Sequence, residues 1–120
     1  MAVKDNVYIT PVSAGLLPTT VASFSPITGV PDSVETTIDS YTALGDETIG
    51  DILLGGTDYA RFNIYINTVL SFVVRSGPMR QANLQLQRPL QLLAGDVLDI
   101  KVIHYNIGVS ADFESTILNA

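Results

Sequence analysis

His104 is the only histidine of the chain, so any imidazole chemistry must run through it. A Ser–His–acid triad needs an exposed nucleophile, and no G-x-S-x-G elbow exists. Structural or catalytic zinc needs several nitrogen or sulfur ligands, and one His with carboxylates is a poor set where cysteine is absent. His104 follows Leu98, Ile100 and Val102 in phase, which predicts an inward, hydrogen-bonded structural histidine near a strand end.

The carboxylates are the next candidates. Asp46, Glu47 and Asp51 lie close together, with Asp58 near by, and such spacing could hold calcium. The EF-hand pattern and any Asp-x-Asp-x-Asp run are missing, so solvated loop acids are the better expectation. Asp96 with Asp99, or Asp112 with Glu114, could be imagined as a glycosidase pair. In an acidic chain such pairs carry little weight. No nucleophile, base and oxyanion donor come together as a set, so no enzyme is expected and no catalytic residue, metal or cofactor is assigned.

Two other groups have recognition chemistry. Arg75, Arg80 and Arg88 share a window without a single acid, which suits contact with an acidic surface of a second copy or a larger partner. Alternatively they keep strand edges soluble. Tyr8, Tyr41, Tyr59, Tyr65 and Tyr105 offer rings for stacking on sugars, although tryptophan is absent. Tyr59 and Tyr65 fall on the outward side of one strand.

The elements that must position these residues alternate apolar and polar side chains with period two, the mark of half-buried strands. Ala60, Phe62, Ile64 and Ile66 form one inward set, Leu84 and Leu86 another, and Leu98, Ile100 and Val102 a third. Ala111, Phe113 and Ile117 close the sheet. Asn67-Thr68 stands where a tight hairpin turn belongs. Residues 69–75 are apolar on both faces, with Leu70, Phe72 and Val74 on one and Val69 and Val73 on the other. A strand of that kind is covered twice, and in a small sandwich the second cover is expected from another subunit. Residues 19–25 read as a strand with Val21 and Phe24 packed, and residues 26–32 as a Pro/Gly loop. Residues 34–44 form a strand whose phase shifts between Ile38 and Tyr41, the sign of a bulge. Residues 47–54 place Ile49, Ile52 and Leu53 at helical spacing, but Gly50 opposes a helix, so a strand is preferred. Pro89 implies an edge or a bend. The count is about eight strands with no confident helix: an all-β chain, an antiparallel β-sandwich of jelly-roll type.

Composition adds an interface. The chain has 120 residues, only 15% of them charged and 47% apolar, against roughly 25% charged in an average domain. A small domain cannot hide that much apolar surface, and exposed apolar patches mark contacts. Residues 1–18, with Pro11 and Pro18, read as an extended arm preceding a β-sandwich domain over 19–120. The apolar Val7, Tyr8, Ile9, Leu16 and Leu17 suit either an edge strand or an arm docked on a neighbour. With Val69, Val73, Arg75, Arg80 and Arg88 they make up the expected interface. The net charge of −6 argues against nucleic acid as partner. No apolar run reaches the length of a signal sequence or a membrane span, so no membrane partner is expected.

Three segments resemble a family. Residues 56–67 (G-T-D-Y-A-R-F-N-I-Y-I-N), 89–106 (P-L-Q-L-L-A-G-D-V-L-D-I-K-V-I-H-Y-N) and 111–118 (A-D-F-E-S-T-I-L) are similar to small β-sandwich virion proteins of tailed bacteriophages. The resemblance spans roughly residues 50–119; Thr68 stands where the family's hairpin has glycine. It implies a virion structural protein, foremost a capsid decoration (cement) protein bound to the major capsid protein or other virion proteins. It also implies a homo-oligomer, with a trimer favoured, located in the virion after assembly in the host cytoplasm. Rival expectations are a tail, baseplate or fibre-associated subunit and a carbohydrate- or host-receptor-binding module.

Overall fold

The structure is a computed structural model that describes residues 20–77 and 82–120; for residues 82–89 it describes the backbone alone. Eight strands run through the described residues: β1 Val21–Val30, β2 Thr36–Thr42, β3 Glu47–Gly56, β4 Ala60–Ile66, β5 Val69–Ser76, β6 Ala82–Leu92, β7 Val97–Ile103 and β8 Ala111–Asn119. One sheet has the order β1-β8-β3-β6 and the other β2-β7-β4-β5, and every paired neighbour is antiparallel. The chain changes sheet at every connection except the β4–β5 hairpin. That is the double Greek key of a jelly roll, as the strand count and phasing predict. Among the described residues no helix is long and apolar enough to cross a membrane.

The core is the set of inward positions. Phe62 and Ile64 of β4 and Leu98, Ile100 and Val102 of β7 face Ile49, Ile52 and Leu54 of β3 and Phe113 and Ile117 of β8, and all are buried. Ile66 packs against this core from the end of its strand. The side chains of Leu84 and Leu86 lie outside the described residues, as do residues 1–18 with the expected arm.

Bulges explain where the period-two reading needs correction. In β3 the register slips between Ile49 and Asp51 against both neighbours, so Gly50 is the extra residue. Ile49 and Ile52 are three apart yet both point inward. Their helical spacing is thus a bulged strand. In β2 the slip falls between Thr37 and Asp39, at Ile38, the near edge of the expected Ile38–Tyr41 shift, and pairing from Asp39 to Thr42 is regular. Opposite Gly50, β6 passes directly from Gln85 to Leu90 in register, and Pro89 sits in that excursion of an edge strand.

Three expectations are overturned. β1 does not end at residue 25: it runs through Pro26, paired with Glu114, to Val30. An edge strand tolerates a residue without an N–H, and Gly29, at φ 68°, absorbs the late register shift. Ala22, Ile27 and Val30 carry the β1 packing, whereas Val21 and Phe24 are exposed. β2 is shorter than 34–44, leaving Val34 and Leu44 exposed outside it. Leu70 does not share a face with Phe72 and Val74. Tyr65 pairs with Leu70 but Ile64 with Phe72, so Ser71 is bulged out and Leu70 turns outward with Val73.

The β4–β5 turn has positive φ at both central residues, 49° at Asn67 and 69° at Thr68, which is the type I′ signature. A β-branched residue is disfavoured there, although the Thr68 hydroxyl donates to the Asn67 carbonyl at 2.6 Å. Thr68→Gly is expected to stabilise the protein by about 1 kcal/mol, raising the thermal midpoint by roughly 4 °C. An unchanged or lower midpoint would show that the turn holds no strain.

Candidate functional site

An open cleft of about 610 Å³ lies where the outer face of the β2-β7-β4-β5 sheet meets the loops beyond β3 and β7. Its walls are Asp58, Tyr59, Ala60, Arg61, Arg75, Ser76, Ile103, Tyr105 and Asn106. Three strands set its floor. Arg61 of β4 stands directly opposite Arg75 of β5 on one side and Ile103 of β7 on the other. All three are on outward positions because Phe62, Val74 and Val102 take the inward ones. Tyr59 and Tyr105, at 72% and 62% exposure, come from the residues flanking β4 and β7.

The rim is locked by one carboxylate. Asp58 accepts from the Asn106 side-chain amide at 2.6 Å and from the backbone N–H of Tyr59 at 2.8 Å. The Asn106 bond, then the Tyr59 N–H, hold its carboxyl below the usual range. Asp58 shares the cleft wall with the two guanidiniums, but among the described residues neither arginine has an ion pair. The Arg61 Nε is buried and has no hydrogen-bond partner among the described residues. Like charges directly opposed across a strand pair are destabilising, so the pair favours an anion between them.

The neighbouring outer face is engaged in contacts of its own. Glu35 accepts from the Asn63 amide at 2.6 Å and from the Tyr65 hydroxyl at 2.8 Å. The Asn63 bond is the largest cause of its lowered pKa, and Lys101 and Arg61 contribute at longer range. The Glu35 bond is in turn the main reason the Tyr65 phenol is raised. The Lys101 ammonium sits 4.9 Å from the centre of the Tyr65 ring. Tyr65 is thus occupied, and the outward pair expected for stacking is not Tyr59 with Tyr65 but Tyr59 with Tyr105. Tyr41 is also committed: its hydroxyl donates to Glu47, and burial followed by that bond pushes its pKa up to about 12.

His104 is fully buried, as its phase predicts. Its Nε2 donates to the Val30 carbonyl at 2.8 Å and its Nδ1 accepts from the Asn106 N–H at 3.4 Å, so the neutral tautomer is the one that fits. The ring rests 5.8 Å from that of Phe113. Each nitrogen has a structural use.

The loop acids tie loops together at opposite ends of the sandwich. Asp46 accepts from the Ala94 N–H, Glu47 from the Leu44 N–H, and Asp96 from the Leu93 N–H and the Asn67 amide. At the cleft end, Asp112 accepts from Gly29 N–H, and Asp32 from Gly108 N–H. Asp99 takes the Ser40 hydroxyl at 2.5 Å. Among the described residues no group of three or more His, Cys, Asp or Glu could hold a metal ion.

Of the expected interface, Val69 and Val73 are exposed on β5, and Arg75 is exposed in the cleft wall. Arg80, the Arg88 side chain and Val7, Tyr8, Ile9, Leu16 and Leu17 lie outside the described residues. Sequence reasoning missed Arg61, Ile103 and Asn106 as one constellation with Tyr105. The available signal was hairpin counting from Asn67-Thr68 combined with the inward phase of Phe72 and Val74. Together they demand a bulge that brings Arg61 opposite Arg75.

The molecule is thus a jelly-roll β-sandwich with a cationic, tyrosine-flanked cleft at one end. No protein-family model matches the chain, and no curated protein matches it. Among solved structures, it is similar to the CBM36-1 domain of a multidomain xylanase from the hindgut metagenome of Trinervitermes trinervoides. That match has 12% identity and a TM-score of 0.47, and covers 82% of this chain and 97% of that one. It is also similar to a chain in the structure of infectious bursal disease virus Gx strain. There the identity is 11% and the TM-score 0.32, over 98% of this chain and 38% of that one. The chain therefore spans well under half of that viral chain.

Proposed function

We propose that this protein is a structural subunit of a tailed-bacteriophage virion, a decoration protein that associates through β5 and binds the major capsid protein. The observation that carries the reading is the exposed apolar surface of that edge strand, with Leu70 and Val73 on its outer face and Val69, opposite Ile66, on the other. Val69, Leu70 and Val73 are all about half exposed or more, and among the described residues β5 ends its sheet with one side unpaired. Proteins usually blunt such an edge with charge or proline, yet residues 69–74 hold neither. A second copy laid on this strand buries three apolar side chains at roughly 1.5–3 kcal/mol each. Exposed Leu44 and Leu93, on loops tied to each other through Ala43, Gly95 and Asp96, add apolar surface at the same end. The likeness of residues 56–67, 89–106 and 111–118 to phage virion proteins supports the placement on a head shell, where many weak contacts add.

Val73→Glu puts a charge into the contact and is expected to weaken association by about a hundredfold or more. Light scattering over a range of concentrations reads the outcome. The wild type is expected as a stable oligomer, trimeric if the family likeness extends to assembly, and Val73→Glu as a folded monomer that no longer decorates shells. A wild type monomeric throughout, or a variant that assembles normally, would sink the reading.

A further inference from the structure

The cleft is a second, separate feature. Arg75 lies six residues from Val69, about 20 Å along the strand at 3.3 Å per residue, so the cleft opens at the end of β5 away from Val69 and Leu70, with Val73 between them. We propose that it binds the carboxylate-bearing sugar of an acidic glycan, with Arg61 and Arg75 receiving the carboxylate and Tyr59 and Tyr105 flanking the ring. Four observations lead there. Its volume falls in the range of small-ligand pockets, about 300–1,000 Å³. Two guanidiniums stand directly across a strand pair with no ion pair among the described residues, the Arg61 Nε buried without a partner, and paired arginine forks match a planar carboxylate. Exposed tyrosine rings give apolar faces with polar edges, which suits the mixed surface of a saccharide. Asp58 and Asn106, already fixed to each other, present preorganised polar atoms to hydroxyl groups. The net charge of −6 disfavours a polyanion such as nucleic acid, whereas one carboxylate needs only the local pair.

The test titrates the full chain by calorimetry and amide NMR with trigalacturonate, its methyl ester, 3′-sialyllactose, lactose, inorganic phosphate and a glutamate-rich peptide. At least one acidic saccharide is expected to bind, shifting the amides of Tyr59 and Tyr105, with its neutral counterpart about tenfold weaker or worse. Arg61→Met, Arg75→Met and Tyr105→Ala should each weaken it by about tenfold, with circular dichroism unchanged; binding should also fall as salt rises. The proposal is overturned by no binding of either acidic saccharide, by equal affinity for the methyl ester, or by arginine variants that bind normally. Occupation by phosphate or by the acidic peptide without saccharide would overturn it too. Leu70 lies about 16 Å along β5 from Arg75 and outside the cleft lining, so failure here leaves the assembly reading intact, and Leu70→Glu, which charges the same apolar contact, should bind saccharide as the wild type does.

Discussion

Gly56→Ala is expected to destabilise the protein by about 3 kcal/mol, at the upper end of ordinary overpacking. A Cβ at residue 56 would stand 2.1 Å from Cδ1 and 2.6 Å from Cε1 of Phe113, and 2.7 Å from the Asp112 carbonyl oxygen. The backbone of Gly56 is not in the left-handed region, so the cost is one of space. Phe113 has nowhere to go. It is buried, meets Phe62 edge-on at 5.8 Å, and lies against His104. Asp112 is held as well: its carbonyl accepts from Thr57 N–H and its own N–H donates to the Thr57 hydroxyl. Relief must therefore come from moving β3 away from β8. Gly45→Ala is the control, because nothing lies within 4 Å of its Cβ position; that change should stay within about 0.5 kcal/mol. Urea denaturation measures both. Equal midpoints would mean that the β3–β8 approach is looser than described. The residues following Gly56 lead into Asp58 and Tyr59, so the same variant should also blur the cleft.

His104→Ala is expected to cost about 4 kcal/mol, a large share of the roughly 5–15 kcal/mol that holds an ordinary domain. It removes a ring packed on Phe113, leaves a cavity, and strips the buried Val30 carbonyl of its donor. His104→Phe separates the two effects. It keeps most of the ring volume but cannot donate to Val30, so about 1–3 kcal/mol of loss should remain. The thermal midpoint should fall by roughly 15 °C for alanine and about half that for phenylalanine. If phenylalanine is as stable as the wild type, the Val30 bond contributes nothing and His104 acts by packing alone. A loss of stability confined to binding residues would instead give His104 a direct role in the cleft, which its burial argues against.

Both predictions concern the same corner, where β1, β3, β4, β7 and β8 converge around Phe113. This corner anchors the residues that enter the cleft: Asp58 and Tyr59 after Gly56, and Tyr105 and Asn106 after His104. The rigidity of the cleft therefore derives from core packing beneath it. Preorganised polar groups bind more tightly than mobile ones because less ordering remains to be done.

The sequence by itself determined the fold class. Alternation at residues 60–66, 97–103 and 111–117 is a local property: with period two, the side chain of each second residue must share a face. The burial of Phe62, Ile64, Leu98, Ile100, Val102, Phe113 and Ile117 follows directly. The inward histidine followed from the same phase. The Asn67-Thr68 turn was legible too, from asparagine's tolerance of positive φ. What the tertiary structure decided were the slips. Whether residues 49–52 make a helical turn or a bulged strand depends on two neighbouring strands that give Gly50 no partner. Whether Pro26 ends β1 depends on its place at a sheet edge, which only topology supplies. The cleft shows this dependence most plainly. A two-residue hairpin without a bulge would set Arg61 opposite Val74; the extra residue at Ser71 sets it opposite Arg75. Tyr59 and Tyr105 are far apart in the chain and line one cleft only because β4 and β7 are neighbours. Local periodicity fixes which side of a strand a residue faces, but a site assembled from three strands and two loops exists only once register and strand order are set.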